Sequence, residues 1–307
     1  MRIAITGATG FLGRYLVRQL AQAGHELRCW YRPSSARRGF EENAGAIEWL
    51  PGVLGDESAT RQLVAGTDAL VHAAVQWEGP RNRGRGSHGA AGVFLGVNLT
   101  GSLQLFQTAL EAGVSRCVFI STCAVHEVVL DDRPLDETHP LWPTSHYGAH
   151  KAALEKFVHS FGLGQRWPIC ALRPTGIYGL AYPPQQSRWY DLVGQVLRGG
   201  AIASPRGGKE VHALDVARAV ELLLSVAAQQ ITGQAFNCCD RYIAEQEVAS
   251  IAKDLSGSSS EIANLNRGPK HQIETKKLHA LGMIFGGDAL LRRTVEELIA
   301  AHRATSS

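Results

Sequence analysis

The stretch "TGATGFLG", residues 6–13, follows the apolar run Ile3–Ile5 and precedes a segment whose apolar residues recur at helical spacing. Gly7, Gly10 and Gly13 stand three apart. A glycine loop between a first strand and a first helix is what a pyrophosphate site needs. Gly7 permits the tight turn, Gly10 lets phosphate oxygens approach the backbone, and Gly13 lets the helix pack closely on the strand. The helix start adds N–H donors and the positive end of its dipole. The placement of the triplet, more than its spacing, points to a dinucleotide site.

Working outward, strand-length apolar runs alternate with helical patterns. Strands are expected at 2–6, 26–31, 46–50, 69–74, 116–122 and 169–173. Phe11, Leu12, Tyr15, Leu16 and Leu20 mark a helix ending at Gly24, and further helices are expected at 97–112 and 145–161. That order predicts an α/β fold of the Rossmann type, a doubly wound parallel sheet covered on both faces, with a smaller C-terminal substrate lobe. The expected division is 1–174 for the dinucleotide-binding domain, with a return segment at about 211–230, and 175–307 for the smaller lobe. Beyond residue 175 prolines 183, 184 and 205 break the pattern. The clearest later helices are 216–228, 244–255 and 289–302.

Composition narrows the function classes. The 307 residues are 45% hydrophobic and 19% charged, as in an ordinary soluble globular protein. A net charge of +3 is too small to argue for nucleic acid or an anionic membrane. There is no apolar run of the ~20 residues needed to span a bilayer, and the N-terminus shows no signal-peptide pattern. The six cysteines form no C-x-x-C pair and mostly lie in apolar runs, which reads as buried reduced thiols and a cytoplasmic protein.

"SHYGAHK", residues 145–151, places Tyr147 and Lys151 four apart, on one face of a helix. The lysine's charge favours the phenolate and lowers the tyrosine pKa towards working pH. A strand ending in "FISTCAVHE" puts the Thr122 hydroxyl beside Tyr147. His146 and His150 also stand at i and i+4, but no third ligand follows at a recognisable spacing, so no metal is expected.

These stretches together resemble the extended short-chain dehydrogenase/reductases, within the NAD(P)-dependent epimerase/dehydratase group. "TGATGFLG" is similar to the cofactor loop of that family. "GDESATRQLVAGTDALVHAA" resembles the segment in which Asp56 flanks the adenine and Ala73 and Ala74 line the cofactor. "VNLTGSLQL" resembles the helix with a structural asparagine, Asn98. "LRPTGIYG" resembles the strand and turn beside the nicotinamide, and "VHALDVARAV" the segment joining the lobes. The resemblance implies Thr122, Tyr147 and Lys151 as catalytic residues. It implies cofactor contacts from Gly7, Thr9, Gly10, Phe11, Leu12, Gly13, Tyr31, Arg32, Ser35, Asp56, Ala73, Ala74, Tyr147, Lys151, Pro174 and Ile177. For the substrate it suggests Val75, Arg85, Cys123, His126 and Arg188.

Departures from the family pattern refine this. The second strand reads "ELRCWYRPSSARR" and lacks the acid that holds a ribose 2′-hydroxyl. Arg32, Ser34, Ser35, Arg37 and Arg38 suit a 2′-phosphate, so NADP is expected, with NAD possible. Val125-His126-Glu127 replaces the usual V-Y-G; His126 is either a pocket residue or a surface replacement. Nucleotide-sugar enzymes of the family often carry Arg four residues before the histidine of "VHALD". Gly208 stands there instead, with Arg188, Arg206, Arg292 and Arg293 as possible substitutes. The Asp-Glu pair of the dehydratases is replaced by Cys123-Ala124.

The resulting expectation is hydride transfer at a carbinol or carbonyl carbon of a sugar or nucleotide sugar, with Tyr147 as acid/base. Two alternatives stand: an NADPH-dependent reductase or dehydrogenase of a small non-nucleotide ketone or alcohol, and an NADP-binding redox-sensor module. The partners expected are a small-molecule substrate and a second copy of the chain, with no nucleic acid or membrane. The dimer would pack through 97–112 and 145–161. The loop 79–92, with Arg81, Arg83 and Arg85, is either a lid over an anionic substrate or a plain surface loop.

Overall fold

The computed structural model describes residues 1–77, 92, 94–266 and 268–306; the expected lid, with Arg81, Arg83 and Arg85, lies outside the described residues. The chain divides into two compact units. The first comprises Met1–Pro174, Val216–Cys238 and Glu274–Met283; the second comprises Thr175–Asp215, Cys239–Ile273 and Ile284–Ser307.

The first unit is built on seven strands: β1 (Arg2–Thr6), β2 (Glu26–Tyr31), β3 (Ile47–Pro51), β4 (Ala69–His72), β5 (Arg116–Ile120), β6 (Ile169–Pro174) and β9 (Gln234–Cys238). Their order is β3-β2-β1-β4-β5-β6-β9, and every pairing is parallel. The strand order reverses between β1 and β4, so the glycine loop at the end of β1 opens onto the switch point, where such sheets bind ligands. The strands are Val/Ile/Leu/Ala-rich because both faces are covered: β4 and β6 are buried along their whole lengths.

Helices α1 (Phe11–Gln22), α2 (Glu57–Val64), α3 (Gly101–Glu111) and α4 (His146–His159) follow β1, β3, β4 and β5. The helix expected over 97–112 is present; it opens with a π-helical stretch, Phe94–Thr100, and continues as α3. One face of the sheet buries Leu105, Phe106 and Ala109 of α3 and Leu154, Val158 and Phe161 with Phe119 and Ile169. β9 was not expected. Pairing with β6 extends the return segment to Cys238.

The second unit has a three-stranded sheet of β7 (Gly176–Tyr178), β8 (Gly207–His212) and β10 (Arg241–Ala244), in the order β10-β8-β7. Helices α5 (Tyr190–Leu197), α7 (Glu245–Ser256) and α9 (Gly287–Ser306) belong to it; α6 (Ala213–Ser225) leaves it at Asp215, and α8 (Lys276–Ala280) belongs to the first unit. Its own core gathers Tyr178, Trp189, Val193, Ile243, Val248, Leu291 and Leu298. Among the described residues no helix is long and apolar enough to cross a membrane.

Candidate active site

The glycine loop is shaped by close approach. Gly7 has φ +74°, and a Cβ there would lie 2.9 Å from the backbone of Ala73 and Ala74. A Cβ on Gly13 would lie 2.0 Å from the Gly7 carbonyl oxygen, so only glycine lets α1 start against the loop. Gly10 is different: its Cβ would meet nothing nearer than the Gly7 carbonyl oxygen at 3.2 Å. Of the three glycines, Gly10 is therefore the least crowded by the protein's own packing, which suits a ligand lying across the loop. The start of α1 has no side-chain cap and no acidic residue in its first turn. These features fit the phosphates of a dinucleotide.

The strand end facing this loop is pinned from below. The Ala74 N–H donates to Thr6 Oγ1 at 3.2 Å, and Thr6 Oγ1 lies 2.7 Å from His72 Nδ1. His72 Nε2 lies 2.8 Å from Ser102 Oγ. Burial holds the His72 pKa well below the ordinary range, with the Lys151 charge acting the same way. Asn98 accepts from the Gln76 N–H at 2.7 Å and donates to the Gln76 carbonyl at 2.8 Å, so it fixes the extended segment 73–77. Ala73, Ala74 and Val75 are half-buried along it. It ends at Trp77, which the sequence reading did not single out and whose ring centroid lies 5.0 Å from that of Tyr147.

At the end of β2 the Arg32–Ser35 turn closes by a Ser35 N–H to Arg32 carbonyl bond of 2.8 Å. Arg37 stacks 4.2 Å over the Tyr31 ring. The segment after the turn is held from α1: Arg14 donates to the carbonyls of Arg38 at 2.6 Å and Ala36 at 2.8 Å. Arg14 is a further residue missed in the sequence, because its partners lie more than twenty positions away. Asp56 caps α2, accepting from the Ala59 N–H at 3.0 Å, so one carboxylate oxygen is committed to the helix.

The expected catalytic residues come from β5 and α4. Thr122 follows β5 and accepts from the Ala124 N–H at 3.1 Å, opening the tight turn Cys123–His126. Tyr147 and Lys151 lie on α4, which Ser145 caps through the Gly148 N–H at 3.1 Å. A Cβ on Gly148 would lie 2.6 Å from the Ala124 carbonyl oxygen, so the glycine beside Tyr147 lets the helix start press onto the Thr122 turn. Glu127 fastens the same junction, accepting from the backbone and hydroxyl groups of Thr144 and Ser145. Partial burial would raise its pKa, but those bonds outweigh burial and hold it below the usual carboxylate range.

Lys151 is buried, donates to the Ile120 carbonyl at 2.6 Å and sits 4.4 Å from the Phe119 ring centroid. Burial lowers its pKa to about 7, against an opposing pull from Glu155. His150 is buried, its ring centroid 5.5 Å from that of Tyr147, and its pKa is lowered to about 3 by burial and Lys151.

The structure places the substrate-side residues as follows. Of the two alternatives for His126, it is not a surface residue. It is buried, with Nδ1 3.1 Å from the Pro140 carbonyl and Nε2 3.2 Å from Arg173 Nη1. Burial and Arg173 lower its pKa to about 4, so the ring is neutral: Nδ1–H donates and Nε2 accepts. The Cys123 thiol donates to the Arg173 carbonyl at 3.0 Å. Arg188 is bound to the buried Glu210 at 2.5 Å, and Arg206, Arg292 and Arg293 pair with Glu245, Glu296 and Glu297. Pro174 is buried at the end of β6, and Ile177 lies half-buried on β7 of the second unit. Arg85 lies outside the described residues.

Known proteins resemble this arrangement along its whole length. Over 248 residues, 72% of this chain and 70% of the relative, it is 30% identical to the 4-hydroxy-2-methyl-3-oxo-4-farnesyl-3,4-dihydroquinoline-1-oxide ketoreductase of Stigmatella aurantiaca. It is 25% identical to the dTDP-D-glucose 4,6-dehydratase of Mus musculus, covering 92% of this chain and 83% of that one. In fold it matches the UDP-glucose-4-epimerase of Stenotrophomonas maltophila, solved with NAD and formylated UDP-arabinopyranose. That match has a TM-score of 0.79 at 20% identity over 100% of this chain and 99% of that chain. The model of the NAD dependent epimerase/dehydratase family matches residues 3–239, from β1 through β9. The glycine loop at the switch point, the parallel sheet beneath it and this match agree, and the chain belongs to the NAD dependent epimerase/dehydratase family.

Proposed function

We propose that the protein transfers hydride at a carbinol or carbonyl carbon of a sugar or nucleotide sugar, with Tyr147 as the acid/base and NADP as the preferred cofactor. A bound nicotinamide dinucleotide supplies the hydride donor or acceptor. The chain's own residues bind and orient it and move the proton. The glycine loop and the start of α1 take the pyrophosphate. Tyr147 exchanges a proton with the substrate oxygen, and Thr122 hydrogen-bonds the same atom. Lys151 orients the ribose and, while charged, favours the Tyr147 phenolate. The observation that carries this reading is the fit of Gly148 against the Ala124 carbonyl, which seats the Tyr147 end of α4 on the Thr122 turn.

The Arg32–Ser35 turn, the grip of Arg14 on the segment that follows it, and the absence of an acid at the end of β2 support NADP. Arg32→Asp is expected to narrow or reverse the preference, read as the two dissociation constants. Wild-type NAD binding as tight as NADP binding contradicts it.

A second reading, net reduction of a small non-nucleotide ketone, is favoured by one feature of the second unit. The Glu210 carboxylate fills the space beside Gly208, where a Cβ would lie 2.3 Å from Glu210 Oε1, and Arg188 is committed to that carboxylate. A nucleoside diphosphate wants a cation at such a place, and the nearby guanidinium is already taken up by Glu210, whose pKa burial raises to about 8. The ketoreductase relative points the same way. Incubation with nucleotide sugars and with ketones, following both NADPH consumption and product stereochemistry, separates the two. Epimerisation without net cofactor change supports the first, and stoichiometric NADPH loss on ketones supports the second.

We also infer a cytoplasmic homodimer. An exposed apolar side chain on one of the two segments expected at the interface supports the dimer: Phe157, at 40% exposure on α4.

A further inference from the structure

One buried ion pair in the first unit lies outside the proton-transfer set. Glu155, one turn beyond Lys151 on α4, is 1% exposed, and Arg173 at the end of β6 is 2% exposed. Arg173 gives Glu155 two bonds from Nε at 3.0 Å and one from Nη2 at 2.6 Å. A paired buried charge is more often neutral or costly than stabilising, so its retention calls for another reason. Its further bonds supply one. Ser121 Oγ donates to Glu155 Oε1, and the Ser121 N–H donates to the Leu172 carbonyl at 2.7 Å. On the other side of Thr122, the Cys123 thiol donates to the Arg173 carbonyl at 3.0 Å, and Arg173 Nη1 reaches His126 Nε2 and the Glu137 carbonyl, each at 3.2 Å. Thr122 is therefore flanked on both sides by residues bonded to β6 and its ion pair.

We infer that Glu155 is a positioning residue of the proposed acid/base site: through Ser121 it fixes the backbone that carries Thr122. This rests on the roles given to Thr122, Tyr147 and Lys151 above. The charges and titratable groups around Lys151 are few. His72 from β4 and His150 from α4 are held neutral by burial, Tyr147 lies one turn earlier on α4, and Glu155 is the group that raises the Lys151 pKa. Glu155 is itself faced by Arg173 from β6 and Ser121 from β5's end, with His126 behind Arg173. Neutralising Glu155 removes the charge that favours protonated Lys151 and leaves Arg173 uncompensated. Both changes push the lysine towards its neutral form.

Two variants separate positioning from plain structural support. Ser121→Ala cuts only the tie to the turn and leaves the ion pair. It should lower kcat by roughly 10- to 100-fold, the order expected from a misplacement of about 1 Å, with cofactor affinity unchanged. Glu155→Gln keeps the shape and removes the charge. NAD affinity, measured by fluorescence titration from pH 5.5 to 9, should fall with rising pH in the wild type as Lys151 loses its proton. In Glu155→Gln that fall should come about one pH unit or more lower. NAD is the probe because it carries no 2′-phosphate to titrate in this range. Loss of thermal stability with an unchanged pH profile in Glu155→Gln and an unchanged kcat in Ser121→Ala would overturn the inference. If Glu155→Gln does not fold, Ser121→Ala decides alone, and an unchanged kcat overturns it. The underlying reading fails separately: it falls if Tyr147→Phe keeps normal turnover, whatever these two variants do.

Discussion

Lys151 shows how much a single residue's surroundings decide. Its ammonium is buried among β5 backbone, the Phe119 ring and two neutral histidines, and burial brings its pKa from 10.5 to about 7. The unfolded chain therefore holds a proton that the folded one has released between about pH 7 and 10.5, so stability rises with pH across that window. Lys151→Met removes this dependence. The difference in urea midpoint between wild type and Lys151→Met should move in favour of the wild type from pH 7 to pH 9.5. A constant difference would contradict the burial argument. Tyr147 and Lys151 were legible in the sequence because they stand one helical turn apart, and the glycines because their spacing lies within eight residues. Arg14, Glu127 and the Arg173–Glu155 pair were not legible. Each acts on residues 17 to 24 positions away, and only the fold brings those together.

Among the elements, the strands up to β6 and the helices α1, α3 and α4 were readable because buried parallel strands are apolar runs and those helices keep an amphipathic period; the short α2 was not. The helix over 97–112 opens in a wider π-helical form, Phe94–Thr100, from which Asn98 serves the segment after β4. β9, an edge strand paired with β6, lies beyond residue 175, where the regular alternation gives way. The junction between the Thr122 turn and α4 is the element on which the proposed chemistry depends. Gly148→Ala would bring a Cβ within 2.6 Å of the Ala124 carbonyl oxygen and 2.7 Å of Pro143 Cβ. The start of the helix must then move off the turn. We expect turnover to fall by roughly 10- to 100-fold with cofactor affinity little changed. Gly13→Ala, by contrast, crowds the Gly7 carbonyl oxygen and should abolish cofactor binding together with ~1–3 kcal/mol or more of stability. Isothermal titration and chemical denaturation of the two variants check both outcomes. Equal effects of both substitutions on cofactor affinity would contradict this division of labour.

At the scale of the whole molecule, the family match from residue 3 to 239 and the parallel sheet make the chain an enzyme of the epimerase/dehydratase type. The inferred homodimer predicts a sedimentation mass near twice 33.1 kDa at micromolar concentration. Phe157→Glu should shift it to the monomer, and a wild-type monomer would contradict it. The central claim is that Tyr147 moves the proton while the glycine loop holds the cofactor. The most direct test is turnover of Tyr147→Phe beside wild type on nucleotide sugars and ketones, with cofactor dissociation constants measured on the same samples. The account predicts a fall in turnover of roughly 10²–10⁴-fold, the usual loss of acid/base catalysis, with cofactor affinity unchanged. Turnover near the wild-type level in Tyr147→Phe would contradict it.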